Sequence, residues 1–271
     1  MSQSVKISIG EMLRRRWPRA AACMPQAAVR ALERRLCIDR LNDYITSHEG
    51  LPTGEFLHRF LDSLQVSCSI EGMERLDRGG RYIIASNHPF GGLDGVILAA
   101  AMIDRFGDVG VVVNDLLSEI RPLADIWIPV NTRGAQHSGN VKRFEEVLRS
   151  DKPVVTFPAG LCSRRTDGRV RDVQWHSSFV KRAIMHGRDI VPVYVDGQLS
   201  DGFYRTAAIR RRLGIDFNIE MLRLPAEMFA QRGQHITVRI GQPLSCCDIR
   251  HAESTHEVCD KVRAKVYEMA F

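Results

Sequence analysis

The sequence predicts an α/β fold with a mostly parallel central sheet flanked by helices, preceded by an N-terminal helical extension. From about residue 66 onward, short β-rich segments alternate with segments of helical periodicity, a pattern typical of parallel sheets covered by helices. Residues before that point show helical periodicity and contain no strand-like run. The chain has 271 residues, of which 44% are hydrophobic and 26% charged, so it can bury a sizeable core.

The N-terminal segment, residues 1–65, is predicted to be a helical cap with breaks at Pro18, Pro25 and Pro52, and residues 66–271 to be the α/β domain. The cap mixes apolar residues (Ile7, Ile9, Met12, Leu13, Trp17, Met24, Val29) with basic ones (Arg14, Arg15, Arg16, Arg19, Arg30, Arg34, Arg35). This mixture suits a helix lying in a membrane interface, and a solvated helix face is the alternative interpretation.

Seven β-rich segments and five later helical segments make up the predicted α/β domain. The strands are expected at 66–70, 82–86, 109–113, 126–130, 154–157, 190–195 and 236–240, and the helices near 94–105, 140–150, 176–187, 203–213 and 254–269. Ligands bind beyond the carboxyl ends of strands in such sheets. The loops that follow residues 86 and 157 are therefore expected to line one cleft.

The charge and hydropathy of the chain predict its location in the cell. Lys and Arg number 38 against 32 for Asp and Glu, a net charge of +6, and a second basic cluster contains Arg205, Arg210, Arg211 and Arg212. Such clusters attract phosphate groups. The sequence has no apolar run long enough to span a bilayer and no apolar signal core, so we expect a cytoplasmic protein bound peripherally to the inner face of the cell membrane.

The seven cysteines predict reduced thiols, because they are odd in number and lack Cys-x-x-Cys pairs or histidines at metal-ligand spacing. No metal site is expected. Cys162 stands near the strand end at residue 157, but a thiolate nucleophile needs a base close by, and a packed thiol is the preferred interpretation.

The segment from Asn87 to Gly95 places a histidine and a carboxylate between a predicted strand and a predicted helix. Pro89 and the glycine pair Gly91-Gly92 favour a loop that folds His88 and Asp94 together. A carboxylate on one imidazole nitrogen leaves the other free to take a proton from a hydroxyl or amine. The alternative is a plain turn in which Asp94 caps the helix.

Two further strand ends lead into polar loops. The strand at 126–130 runs into Arg133, whose planar guanidinium suits phosphate or carboxylate, although a surface arginine is the alternative. The strand at 154–157 runs into a segment that contains Gly160, a hydroxyl group and two arginines. Gly160 allows close approach of a ligand to the backbone, and backbone N–H groups there suit an oxyanion or a phosphate. A plain turn with a basic rim is the simpler interpretation. The apolar strand at 190–195 contains Pro192 and no reactive group.

These four blocks, in this order, resemble the four motifs of the glycerolipid acyltransferase family, typified by lysophosphatidic acid acyltransferases. The resemblance runs from about residue 80 to 196. It implies that His88 is the general base, Asp94 its orienting carboxylate and Pro192 part of a structural fourth motif. It assigns acceptor or phosphate binding to Asn87, Arg133, Phe157, Pro158, Gly160, Ser163, Arg164 and Arg165. Gly91 and Gly92 are the oxyanion candidates, with Gly160 a further possibility.

The chain departs from the usual family pattern at two places. Five residues, Pro89 to Leu93, separate the histidine from the aspartate instead of four, and Ala159 stands where the family has a glutamate. Both features resemble a bacterial branch that includes proteins named as hemolysins and enzymes that acylate amino-acid lipids. The acceptor implied is then a lyso-aminolipid or a lysophospholipid.

The resemblance implies an acyltransferase that moves a fatty acyl chain from coenzyme A or acyl carrier protein to a lysolipid acceptor, with no bound cofactor. A thioesterase that uses water at the same His-Asp pair is the alternative enzyme. A non-catalytic basic protein that binds membranes or nucleic acid is the alternative of another class. No nucleic acid is expected as a partner, because the chain has no recognised nucleic-acid motif or aromatic stacking platform.

Overall fold

A seven-stranded sheet forms the centre of the molecule in the computed structural model, which describes residues 7–16, 25–114, 120–130, 138–166, 168–216, 218–252 and 254–270. The strands are β1 (Ser67–Glu71), β2 (Tyr82–Ser86), β3 (Gly110–Asn114), β4 (Trp127–Val130), β5 (Val154–Thr156), β6 (Arg164–Thr166), β7 (Arg169–Arg171), β8 (Asp189–Val195) and β9 (His235–Ile240). The seven lie in the order β1-β9-β8-β2-β5-β3-β4, and β6 and β7 form a separate antiparallel hairpin.

Five neighbouring strands of the sheet are parallel. Strand β2 lies between β8 and β5, with Ile84 in register with Val191 on one side and Val155 on the other. Strand β9 pairs antiparallel to β8, and β1 pairs parallel to β9, so these two edge-side strands run the opposite way. The predicted mostly parallel α/β sheet is confirmed.

Helices cover both faces of the sheet. They are α1 (Ile9–Arg16), α2 (Gln26–Arg35), α3 (Ile38–Ser47), α4 (Thr53–Ser63), α5 (Leu93–Phe106), α6 (Ser138–Arg149), α7 (Ser178–His186), α8 (Asp201–Arg212), α9 (Leu224–Ala230), α10 (Cys246–Arg250) and α11 (Thr255–Glu268). Alternate residues of β2 separate the two layers: Ile84 packs in the core that contains α4 and α5, whereas Ile83 and Ala85 pack in the core that contains α7 and α11. All five residues of β2 are buried, as expected for a strand covered on both faces.

The described part of the N-terminal extension is helical, as predicted, and helices α2 and α4 begin directly after the predicted breaks at Pro25 and Pro52. Helix α4 starts after Pro52, and its Leu57 is fully buried in the same core as the sheet. The membrane-interfacial role expected of residues 1–65 stays a prediction, but the side chain of Ile9 is 0% exposed and packs in a small cluster with Leu36 and Ile38. Its backbone N–H also donates to a carboxylate oxygen of Glu33 at 2.9 Å. Met24 and the predicted anchor Trp17 lie outside the described residues.

The hairpin β6–β7 and the short helices α9 and α10 are absent from the predicted elements. The hairpin strands contain three residues each and carry mostly arginine and threonine, so they have no apolar run. None of the helices in the described ranges is both long and apolar enough to cross a membrane.

Candidate active site

Asn87 joins the ends of two central strands immediately before the predicted histidine. Its side-chain amide donates to the carbonyl oxygen of Val195 at 2.9 Å, and its side-chain oxygen accepts from the Val195 N–H at 2.7 Å. The side chain is buried. Both ends of the amide are therefore occupied by the end of β8, and Asn87 fixes the start of the loop instead of facing an acceptor.

His88 and Asp94 are brought together by this loop. The Nδ1 atom of His88 lies 2.9 Å from Oδ2 of Asp94, whose side chain is 0% exposed, while the imidazole is 15% exposed. Because the carboxylate accepts a hydrogen bond at Nδ1, the Nε2 atom is left as the proton acceptor. The pair has the arrangement required of a general base with an orienting carboxylate.

The same carboxylate closes the loop. Oδ2 of Asp94 accepts backbone N–H groups from Phe90 at 3.0 Å and Gly91 at 3.3 Å. The residue at the helix N-cap is Gly92, so Asp94 lies in the first turn of α5 and not at the cap. Asp94 thus both stabilises the turn and orients the imidazole of His88.

An aromatic ring fixes the face of the imidazole. Phe157, at the end of β5, stacks on His88 with ring centroids 4.0 Å apart and an angle of 26° between the planes. Since β2 and β5 are parallel neighbours, both residues emerge at the carboxyl edge of the sheet. The stack and the bond to Asp94 together restrict rotation of the ring.

A buried acid that the sequence analysis missed supports the backbone of His88. Oδ1 of Asp172 accepts the His88 backbone N–H at 3.2 Å and the Ser163 hydroxyl at 2.5 Å, while Oδ2 accepts the Trp175 indole N–H at 2.9 Å. The Ser163 backbone N–H donates in turn to the His88 carbonyl at 2.8 Å. Burial raises the pKa of Asp172, against the lowering effect of these hydrogen bonds.

Comparison with known proteins gives the family. An acyltransferase family, described as "Acyltransferase", matches residues 11–270. The chain belongs to this acyltransferase family. The predicted family and class of enzyme are confirmed.

Two curated relatives cover nearly the whole chain. The lyso-glycine lipid O-acyltransferase of Bacteroides thetaiotaomicron is 34% identical over 264 residues, which are 97% of this chain and 97% of the relative. The protein of the same name from Phocaeicola vulgatus is 34% identical over 264 residues, 97% of this chain and 95% of the relative. The solved 1-acyl-sn-glycerophosphate acyltransferase PlsC from Thermotoga maritima has a TM-score of 0.53 at 15% identity, covering 80% of this chain and 76% of that chain, and so shares the fold.

Two of the glycines considered for oxyanion binding in this acyltransferase already donate their N–H groups. The Gly91 N–H is directed to Asp94, and the Gly160 N–H donates to the Phe157 carbonyl at 2.9 Å to close a turn. Gly92 lies at the N-terminus of the 14-residue helix α5, where backbone N–H groups favour negative charge. Of the three, Gly92 is in the position best suited to a developing oxyanion.

The two arginines after Ser163 make ion pairs within the protein. Arg164 is buried and donates to Glu220 at 2.9 Å, while Arg165 donates to Asp201 at 2.7 Å and lies over the ring of Tyr204. The structure therefore does not present the Arg164 guanidinium to an acceptor lipid. The third predicted anion-binding arginine, Arg133, lies outside the described residues.

The remaining motif residues pack into the protein. Pro158 accepts a backbone hydrogen bond from His176, and Ala159 is buried in the core beside α7, so no carboxylate stands at the usual glutamate position. Cys162 is fully buried, and burial raises the pKa of its thiol to about 11. The expected packed thiol is thus observed, and the six described cysteines are free.

Pro192 occupies a strand position where a missing N–H is tolerated. It faces Ala85 of β2, and its carbonyl accepts from the Gly241 N–H at 2.8 Å. The ladder between β8 and β9 covers only Val193 to Val195, so the proline stands where that ladder is interrupted.

Proposed function

We propose that the protein transfers a fatty acyl chain from an acyl thioester to a hydroxyl group of a lysolipid. The observation that carries the proposal is the 2.9 Å hydrogen bond between His88 Nδ1 and the fully buried Asp94 carboxylate, with the other imidazole nitrogen left to accept a proton. The names of the two curated relatives support an O-acylated lysolipid as product.

His88 acts as a general base in the proposed reaction. Its Nε2 takes the proton of the acceptor hydroxyl while the hydroxyl oxygen attacks the thioester carbonyl carbon. Asp94 stabilises the imidazolium, and the helix N-terminus at Gly92 stabilises the negative charge on the carbonyl oxygen. Collapse of the tetrahedral intermediate breaks the C–S bond, and His88 returns the proton to the leaving thiolate, giving an ester and a free thiol.

The acceptor class is proposed to be a lyso-aminolipid of the glycine-lipid kind, with a lysophospholipid as the second candidate. Both curated relatives are named for lyso-glycine lipid and align with 97% of this chain. The buried Ala159 at the usual glutamate position is in keeping with an acceptor other than glycerol phosphate. The acyl donor is proposed to be acyl-coenzyme A or acyl carrier protein, with no bound cofactor.

Association with an anionic membrane surface is part of the proposal, because both the lysolipid and the product reside in membranes. Helix α8 and the turn after it expose Ile209 (59%), Leu213 (67%) and Ile215 (36%). Arg211 and Arg212 are exposed between them. An exposed apolar strip flanked by guanidinium groups fits the interface of an anionic bilayer. The proposal of membrane binding therefore rests on this strip, among the described residues, and not on the N-terminal helices.

Radiolabelled acyl transfer to a panel of lysolipids tests the proposal. Wild type and His88→Ala are compared with lyso-glycine lipid, lysophosphatidic acid and no acceptor, using both thioester donors. We expect labelled lipid from wild type, and a rate about a hundred- to ten-thousand-fold lower from His88→Ala, since the base is lost. Label released as free fatty acid without need of acceptor would instead identify a thioesterase. The absence of turnover by folded wild type would favour a binding protein.

A further inference from the structure

A cleft whose lining does not include His88 opens beside the β6–β7 hairpin. Its volume is about 550 Å³, within the range of small-molecule sites. Its polar lining comes from hairpin residues Arg169 and Arg171, from Arg164 and Asp172, and from Arg263 of α11. None of the roles derived above uses the three arginines at 169, 171 and 263.

The cleft has an excess of positive charge. Arg169 and Arg171 are exposed, and within the described ranges no ion pair joins either of them, or Arg263, to a carboxylate. Arg164 is paired with Glu220, but Glu220 is also bound by Arg210 at 3.0 Å, so two cations share one anion. The lining carboxylate is that of Asp172, which is already engaged by three donors.

Arg171 and Arg263 lie beside the same aromatic ring, that of Tyr267. The Arg263 guanidinium donates to the Asp172 carbonyl at 2.8 Å, and its Nε–H is buried with no hydrogen-bond partner among the described residues. The guanidinium of Arg171 lies 5.0 Å from the ring centroid of Tyr267, and that of Arg263 lies 5.6 Å from the same centroid. Both guanidinium groups therefore contact one aromatic ring, and guanidinium groups lining one cleft favour an anion that can accept several hydrogen bonds.

The cleft is close to the reacting groups without containing them. Asp172 is part of the cleft lining and accepts a hydrogen bond from the backbone N–H of His88. The lining therefore contacts the proposed general base directly. The hairpin itself continues directly from the Phe157–Ser163 loop. A ligand in the cleft is thus next to a residue that contacts the backbone of His88, and the imidazole itself is not part of the lining.

We propose that this arginine cleft binds the phosphate of the acyl donor's phosphopantetheine arm, an assignment that rests on the proposed acyl transfer. Both candidate donors carry a phosphate at one end of that arm and the thioester at the other. Guanidinium forks match phosphate oxygens in two contacts. The exposed side chain of Val173 adds an apolar wall for the uncharged part of the arm.

Steady-state kinetics of the Arg169→Gln/Arg171→Gln double variant tests the assignment. We expect the KM for the donor to rise about tenfold or more, with the KM for lysolipid unchanged, because charge-assisted contacts to phosphate are lost. With acyl-pantetheine, which has no phosphate, the double variant should match wild type. Arg78→Gln/Arg149→Gln removes the same charge from exposed arginines elsewhere and should behave as wild type.

The kinetics are measured separately with acyl-coenzyme A and with acyl carrier protein as donor. A rise in KM with both acyl-coenzyme A and acyl carrier protein places the shared phosphopantetheine phosphate in the cleft, and a rise with coenzyme A alone places its nucleotide phosphates there. A raised KM for lysolipid, or an equal loss with acyl-pantetheine, would overturn the assignment.

Calorimetry keeps the two proposals distinguishable. Coenzyme A and pantetheine are titrated into wild type and the double variant without any turnover. Tighter binding of coenzyme A than of pantetheine by wild type, lost in the double variant, supports the cleft even if acyl transfer fails. Equal binding of coenzyme A by both proteins contradicts it even if His88-dependent transfer is observed.

Discussion

At the scale of single residues, Asp94 shapes the loop from His88 to Asp94 and orients the imidazole of its histidine. One carboxylate oxygen, Oδ2, accepts hydrogen bonds from the imidazole of His88 and from the backbone N–H groups of Phe90 and Gly91. An amide can keep these three hydrogen bonds by placing its oxygen at the same position, but it carries no negative charge to stabilise an imidazolium. The fold and the reaction can therefore be separated at this position.

Asp94→Asn is expected to remain folded and to lose kcat by about a hundred- to ten-thousand-fold, because a neutral amide does not stabilise the imidazolium that forms when His88 takes a proton in the proposed reaction. Single-turnover acyl transfer measures the rate, and circular dichroism checks the fold. A rate within about tenfold of wild type would show that the carboxylate only closes the loop.

Asp172 gives a pH-dependent signature of burial. Its pKa is raised from the ordinary value of 3.8, so the folded protein binds more protons than the unfolded chain as the pH climbs through that region. Stability contributed by this group is consequently greatest at low pH and falls as the pH rises from about 3.8 through the raised pKa. Asp172→Asn removes the titration.

Denaturant unfolding of wild type and Asp172→Asn across a pH series checks this expectation. The free energy of unfolding of wild type, relative to that of the variant, should decline with rising pH in the acidic range and then become constant. A difference that grows with pH would mean that the hydrogen bonds from Ser163 and Trp175 outweigh the burial of the carboxylate.

At the scale of elements, two glycines with the same backbone conformation occupy different surroundings. Gly91 has φ of +69° and Gly160 has φ of +65°, so an alanine is strained at both. A Cβ on Gly91 would lie 2.8 Å from Leu224 Cδ2 and 3.0 Å from Cys162 Cβ, whereas a Cβ on Gly160 meets nothing within 4 Å. The pair separates backbone strain from steric packing.

Gly160→Ala should lower the free energy of unfolding by about 1–2 kcal/mol, the cost of the left-handed conformation alone. Gly91→Ala should cost more, since α9 and the Cys162 segment must also move, and it should reduce kcat by displacing the His88 loop. Thermal or denaturant unfolding with parallel kinetics measures both. Equal destabilisation by the two variants would contradict the close packing around Gly91.

The sequence predicted the elements that depend on local patterns. All seven strands of the main sheet were expected within a few residues, because each is a short apolar run between turn residues. The His88–Asp94 pair followed from a loop with Pro89 and two glycines. The β6–β7 hairpin was missed because its strands contain mostly arginine and threonine instead of apolar residues, although the sequence has an Asp-Gly pair, a hairpin signal, in this region.

Partners distant in sequence could not be predicted. Asp172 meets His88 across 84 residues, and Arg164 meets Glu220 across 56, so no local spacing indicates either contact. The pairing of Arg164 with Glu220 was missed for this reason, since a buried counter-ion is invisible in the sequence. Asn87 was likewise assigned to the acceptor because its bonds to Val195 span 108 residues.

At the scale of the whole molecule, helix α8 connects the exposed apolar strip with the catalytic loop. Its inner side buries Phe203, and its Arg210 binds Glu220, the same carboxylate that holds Arg164. Arg164 in turn donates to the Cys162 carbonyl at 2.9 Å, next to Ser163, whose backbone N–H donates to the carbonyl of His88. In the proposed membrane contact, the contacts from Arg210 through Glu220 and Arg164 would therefore connect the outer side of α8 with the segment beside His88.

The double variant Ile209→Ser/Leu213→Ser tests this face. Loss of two large apolar side chains should weaken partition onto vesicles of phosphatidylglycerol and phosphatidylcholine by about tenfold or more, since each buried side chain contributes roughly 1.5–3 kcal/mol. Met185→Ser is the matched control, because Met185 is 75% exposed on α7. Co-sedimentation with the vesicles measures binding, and turnover of a dissolved short-chain acceptor should remain at the wild-type rate. If Met185→Ser weakened binding as much as the double variant, the contact with the bilayer would not be specific to α8.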